Sequence, residues 1–154
     1  MPNCFPEIGR YISILDRLMR MYYDRGLTEF EIGWGQQFYV EYLYDHPGAS
    51  QQEMVECIRV DKATLTKSIK KLVEIGYVRE SYDERDRRVK CLYLTQKAIP
   101  AAEKIKKIHT AFYETITADI SEEQIDLTER NLSQMAENLN RKVWHRMMEE
   151  TDEQ

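Results

Sequence analysis

The chain is poor in residues that shape flexible catalytic loops. Glycine accounts for six of its 154 positions, and no run of them forms a phosphate-cradling loop. No Gly-x-Ser-x-Gly elbow and no His-Glu-x-x-His run occurs, which removes two familiar hydrolase signatures. No nucleophile stands in an evident grouping with a base, so no catalytic residue and no cofactor is expected. The three cysteines, Cys4, Cys57 and Cys91, are odd in number and lack metal-ligand spacing, which fits reduced thiols. No apolar run approaches the roughly 20 residues needed to cross a bilayer. The first residues, Met1-Pro2-Asn3-Cys4-Phe5-Pro6, lack the basic-then-apolar order of a secretory signal. The expectation is a cytoplasmic protein with no membrane partner.

Positive charge is also in short supply overall, since the formal net charge is −5. Its distribution is uneven. Residues 59–97 hold eleven Lys/Arg against six Asp/Glu, a net of +5, while the rest holds eleven against twenty-one, a net of −10. A polyanion responds to a local patch within a Debye length of roughly 10 Å, and the acidic remainder helps to orient the encounter.

The apolar spacing is mostly helical. Ile8, Tyr11, Ile12, Leu15, Leu18, Met19 and Tyr22 recur at three and four residues, which predicts a first helix over about 7–25, with Gly26 as its C-cap. A second helix is expected from Gly35 to the Pro47-Gly48 stop. Ser50 and Glu53 form a capping box that opens a third helix reaching Cys57 or Ile58. Asp61 caps a fourth over Lys62 to Ile75, stopped by Gly76. Two short helices across a tight turn form a helix-turn-helix. The fourth helix carries a core stripe of Leu65, Ile69, Leu72 and Val73. Its other side is Ala63, Thr64, Lys67, Lys70 and Lys71, with Thr66 at the margin.

Two β-rich runs follow, 76–82 and 89–95, separated by Asp83-Glu84-Arg85-Asp86-Arg87-Arg88, which predicts a hairpin with a charged tip. A helix with small, hydroxylated and cationic residues suits a major groove, and a cationic tip suits phosphates or a minor groove. Thr95 is expected to cap a fifth helix to about Ala118, bent where Pro100 falls in its second turn. Ser121-Glu122-Glu123-Gln124 opens a sixth, and the tail from Glu149 is expected to fray. The fold class is thus mainly α with a small β-hairpin wing. The long outer helices have little to pack on within 154 residues, and a symmetric dimer would bury their stripes.

This order resembles the MarR (multiple antibiotic resistance regulator) family of transcription factors. The resemblance rests on Asp61-Lys62-Ala63-Thr64-Leu65-Thr66-Lys67, Leu72, Gly76-Tyr77-Val78, Asp83-x-Arg85-Asp86-x-Arg88 and Leu92-Tyr93-Leu94-Thr95. Gln36-Gln37-Phe38 and His46-Pro47-Gly48 match its second helix. The resemblance implies a winged helix-turn-helix homodimer that binds a palindromic operator in double-stranded DNA, usually as a repressor, and is released by an effector. It divides the single domain 1–154 into a DNA-binding lobe over 30–97 and a helical dimerisation region over 1–29 and 98–154. Lys62, Ala63, Thr64, Thr66 and Lys67 would face the major groove, with Lys70 and Lys71 beside them. Arg85 would enter the minor groove, with Arg87 and Arg88 near phosphates. Asp83, Asp86 and Arg88 would include salt-bridging groups that hold the wing in shape. Ile8, Tyr11, Leu15, Leu132, Met135 and Leu139 would lie at the dimer interface. The family usually has Arg where Lys67 stands; Lys lacks the bidentate fork, so base preference there is left open.

The aromatic residues are expected to be mostly core. A sharper expectation is a pocket of Tyr11, Trp34, Phe38 and Tyr42 for a planar aromatic or phenolic effector. Cys57 and Cys91 read as small core residues and Cys4 as a terminal thiol. No metal site is expected: His46 and His109 could at most begin one, because Tyr113 stands four residues after His109. Two alternatives remain beside the DNA-binding reading. One is a winged helix that binds only protein, and the other is a thiol-redox regulator of the same fold.

Overall fold

A computed structural model describes residues 7–152, with side chains through residue 143; Cys4 lies outside the described residues. The elements in chain order are α1 (Glu7–Leu27), a 3-10 turn (Thr28–Phe30), α2 (Gln36–Asp45), β1 (Ala49–Ser50), α3 (Gln51–Ile58), α4 (Lys62–Glu74), β2 (Val78–Tyr82), β3 (Lys90–Leu94), a second 3-10 turn (Gln96–Ala98), α5 (Ile99–Ile116) and α6 (Glu122–Asp152). The chain is mostly helical with a small antiparallel sheet, a winged helix-turn-helix. It packs as two units, Met1–Phe112 and Tyr113–Gln154. Among the described residues no helix is long and apolar enough to cross a membrane.

The first unit is built around residues that the helical period places on inner faces. Leu27, Val40, Leu43, Met54, Leu65, Ile69, Leu72, Leu92 and Ile105 are all at most 1% exposed. Large-to-small changes at such sites cost roughly 2–5 kcal/mol each. Val73, expected on the same α4 stripe, is 38% exposed. The stripe is therefore three residues wide, because the neighbours of α4 cover only the 65–69–72 line.

Local capping explains most boundaries. The Ser50 amide donates to Glu53 Oε2 at 2.6 Å and the Glu53 amide to Ser50 Oγ at 3.2 Å, closing the box at the start of α3. At the end of α4 the Tyr77 amide donates to the Leu72 carbonyl and the Gly76 amide to the Val73 carbonyl. This Schellman pattern needs the left-handed φ of +79° that Gly76 supplies. Ser121 and Gln124 cap α6 reciprocally.

Four boundary expectations are corrected. Gly26 is no C-cap, since α1 continues to Leu27. Its missing side chain instead makes room for α5, because a Cβ there would lie 2.7 Å from Ile108 Cδ1. Thr95 does not cap a helix with its hydroxyl, which donates to the Gly76 carbonyl at 2.6 Å. The 3-10 turn after it delays α5 to Ile99, so Pro100 sits in the first turn, where no amide partner is needed and no bend follows. Helix α6 runs through Asp152, past Glu149, where fraying was expected.

The sheet has three strands, in the order β1-β3-β2, where a two-stranded hairpin was expected. Ala49 pairs with Leu92 and Ser50 with Cys91, while β2 and β3 register from Val78 with Leu94 to Tyr82 with Lys90. The two-residue β1 is held by a partner more than forty residues away, not by any local periodicity. It ties the start of the helix-turn-helix to the inner strand of the wing.

Candidate nucleic-acid interface

Helix α4 presents its outer face to solvent. Asp61 Oδ1 accepts the Thr64 amide at 2.8 Å, which fixes the start of the helix. These hydrogen bonds to Thr64 hold the Asp61 carboxyl below its ordinary range. Lys62, Ala63, Thr64, Thr66, Lys67, Lys70 and Lys71 are all exposed. Thr66 is less free than expected, since its hydroxyl donates to the Lys62 carbonyl at 2.7 Å and lies 3.1 Å from Gln51 Oε1. It braces α4 against the start of α3.

The wing tip, residues 83–89, is organised by backbone amides. Asp83 Oδ1 accepts from Arg85 at 2.6 Å and from Asp86 at 3.1 Å. Asp86 Oδ1 accepts from Arg88 at 3.0 Å. The Asp83 amide donates to the Val89 carbonyl and the Val89 amide to the Asp86 carbonyl, closing the loop. Salt bridges were expected of these aspartates, and they form turns of the Asx type instead. The wing's ion pair lies lower, between Lys90 and Glu80 at 3.1 Å across β3 and β2, and it holds the Lys90 ammonium above its ordinary pKa.

The consequence is a set of uncommitted cations. The charged ends of Lys62, Lys67, Lys70, Lys71, Arg85, Arg87 and Arg88 are exposed and have no partner among the described residues. Other cations of the segment are engaged. Lys97 Nζ donates to the Ile75 carbonyl at 2.7 Å, and Arg79 lies 4.2 Å from the centre of the Tyr93 ring. Sequence reasoning missed these two contacts, whose partners are distant or on another strand.

The remaining expected sites are scattered. Ile8, Tyr11 and Leu15 on α1 are 57%, 52% and 41% exposed, and Leu132, Met135 and Leu139 on α6 are 47%, 38% and 66% exposed. Each helix thus carries an apolar stripe with no cover from its own unit. Of the expected pocket residues, Phe38 and Tyr42 line one groove, and Trp34 touches Phe38 edge-on at 5.3 Å; Tyr11 is not among the residues lining that groove. Cys91 is buried, but Cys57 is exposed, which corrects its reading as a core residue. It lies one turn beyond the fully buried Met54, near the end of α3. His109 meets Glu41 at 2.9 Å, and no group of three or more possible metal ligands occurs among the described residues.

Known proteins share this arrangement. The model of the MarR family matches residues 33–90, which run from the start of α2 to the first residue of β3. The uncharacterized HTH-type transcriptional regulator YybA of Bacillus subtilis (strain 168) is 30% identical over 97 residues, covering 63% of this chain and 62% of that protein. The crystal structure of a MarR transcriptional regulator from Methanosarcina mazei Go1 is 31% identical, with a TM-score of 0.72, over 87% of this chain and 96% of that one. The S. aureus MepR–DNA complex shares the fold at 22% identity, with a TM-score of 0.78, over 85% of this chain and 95% of that one. With its helix order, capped α4 and three-stranded wing, the chain belongs to the MarR family.

Proposed function

We propose that this chain is a transcriptional regulator that binds a palindromic operator in double-stranded DNA as a homodimer, represses from it, and leaves it when a small molecule binds. The observation that carries the DNA-binding part is the group of seven uncommitted cations on α4 and the wing tip. Cations already paired within a protein gain little from a phosphate. Unpaired ones release counterions from DNA at no internal loss. The fold relative solved with DNA supports the same reading. Two copies of α4 would enter successive major grooves about 34 Å apart. Lys62, Ala63, Thr64 and Lys67 would meet base edges or phosphates there, and Arg85 would reach the minor groove.

The uncovered stripes of α1 and α6 support the homodimer, since apolar patches of this kind mark interfaces. Duplex selection from a random pool tests the operator, and binding across a salt series tests the contacts. The wild type should select a palindrome and lose affinity steeply with salt. Arg85→Ala should bind more weakly and reduce the slope of log affinity against log salt by about 2, one unit for each wing of the dimer. Salt-insensitive binding, or no selected motif, would remove DNA recognition from the reading.

A further inference from the structure

We propose that the groove between α2 and α3 binds a planar organic cation. The inference rests on the effector part of the reading above and names its ligand class. Phe38, Glu41, Tyr42, Asp45 and His46 recur along one face of α2 and its C-cap, and Ile58 closes the groove from α3. The groove is open to solvent, with a volume of about 370 Å³, enough for a bicyclic aromatic molecule.

Two features of this lining choose the charge of the occupant. The first is aromatic. Phe38 is 38% exposed, and Trp34 meets its ring edge-on. Tyr42 stacks on the imidazole of His46 with centres 4.3 Å apart and planes at 15°. Aromatic rings attract cations through their quadrupole.

The second is electrostatic. Glu41 and Asp45 line the groove, and the charge of Glu53 acts on both Tyr42 and His46. Against these three carboxylates stand one lysine and the imidazole of His46. Lys106 from α5 holds Asp45 at 3.1 Å and also lies 4.3 Å from the Tyr44 ring. His109, also from α5, faces Glu41. The fixed charges alone, three carboxylates and one ammonium, leave an anionic surplus. The phenol of Tyr42 is held above its ordinary pKa by partial burial and then by Cys57 and Glu53. A carboxylate or phenolate ligand would have to displace Lys106 or lie against the Glu41 carboxylate that His109 already contacts. The sequence pointed to a planar aromatic or phenolic effector; the carboxylates on the wall favour a planar cation.

Calorimetric titration of the full chain without DNA tests this with three bicyclic probes of similar size: N-methylquinolinium, neutral quinoline at pH 8, and 1-naphthoate. The cation should bind at least tenfold tighter than the anion, with quinoline between them. Phe38→Ala should weaken the cation by roughly five- to tenfold. Asp45→Asn should narrow the gap between cation and anion, while the melting temperature of both variants stays near the wild type. Equal or tighter binding of 1-naphthoate would overturn the proposal, as would a cation affinity unchanged in the Phe38→Ala, Asp45→Asn double variant. The effector reading fails separately: a cation that binds with these preferences but leaves duplex affinity unaltered establishes the site and removes its role in DNA release.

Discussion

The carboxylate of Asp83 accepts the backbone amide of Arg85 at 2.6 Å, so the residue that shapes the wing tip is an anion next to the cation it presents. Simple charge counting and this geometry predict opposite effects of removing it. Loss of a negative charge near DNA should tighten binding. Loss of the acceptor releases the 83–86 turn and spreads Arg85 over more positions, which costs entropy on binding. We expect Asp83→Ala to weaken duplex binding by roughly three- to tenfold, on the order of 1 kcal/mol. Asp83→Asn keeps an oxygen acceptor and removes the charge, so it should bind at least as well as the wild type. Fluorescence anisotropy on one duplex decides between the accounts, and tighter binding by the alanine variant would favour pure electrostatics.

Gly48 carries a second constraint. Its φ is +88°, and a Cβ there would lie 2.9 Å from the Tyr93 hydroxyl. Its amide also donates to the Leu92 carbonyl at 2.8 Å, at the edge of the β1–β3 pairing. Gly48→Ala should therefore destabilise the fold by roughly 1–3 kcal/mol through backbone strain and crowding together. Adding Tyr93→Phe should recover part of the crowding cost in urea unfolding, since Tyr93 Cζ would still lie 3.1 Å from the new Cβ. Full recovery would mean that the left-handed conformation carries no cost here.

Tyr23 links stability to alkaline pH. It is 4% exposed, packed among Trp34, Phe112 and His109, and burial, followed by the charge of Glu41, pushes its pKa up to about 12. An acid whose pKa is raised on folding keeps its proton more firmly in the native state. Its contribution is whole below the unfolded value of about 10 and is lost as pH climbs through about 12. The two-unit interval corresponds to roughly 2–3 kcal/mol. Tyr23→Phe should flatten the fall in unfolding free energy between pH 10 and pH 12. An unchanged slope would show that Tyr23 ionises as freely when folded as when unfolded.

Leu139 is 66% exposed on α6, so replacing it with Asp removes little packing within its own chain. The helix should persist by circular dichroism. If α6 meets a second copy, a carboxylate in that contact costs its desolvation, and sedimentation should report a monomer at concentrations where the wild type is dimeric. A dimer of undiminished affinity would place the interface elsewhere.

Much of the site could be read from neighbours in the chain. The capping boxes at Ser50 and Ser121, the Asp61 cap and the Gly76 stop each depend on residues within a few positions, and all four form. The exposed lysines of α4 follow from the apolar line 65–69–72 on its other side. The pocket was less legible. Trp34, Phe38 and Tyr42 share a stretch of sequence, but only chain folding sets Ile58 and Lys106 around them and leaves Tyr11 elsewhere.

The sequence by itself determined the helical periods, the caps, the charged hairpin and the concentration of positive charge in residues 59–97, because each depends on spacing along one strand or helix. Tertiary structure alone decided that Ala49 and Ser50 join the sheet, that Thr95 turns to Gly76, and that Lys90 and Lys97 are engaged while seven other cations stay open. The physical reason is distance in sequence. A hydrogen bond or ion pair between residues ten to forty positions apart exists only once the loops between them have closed, and no local pattern records which of several partners a charged or hydroxyl group will then meet.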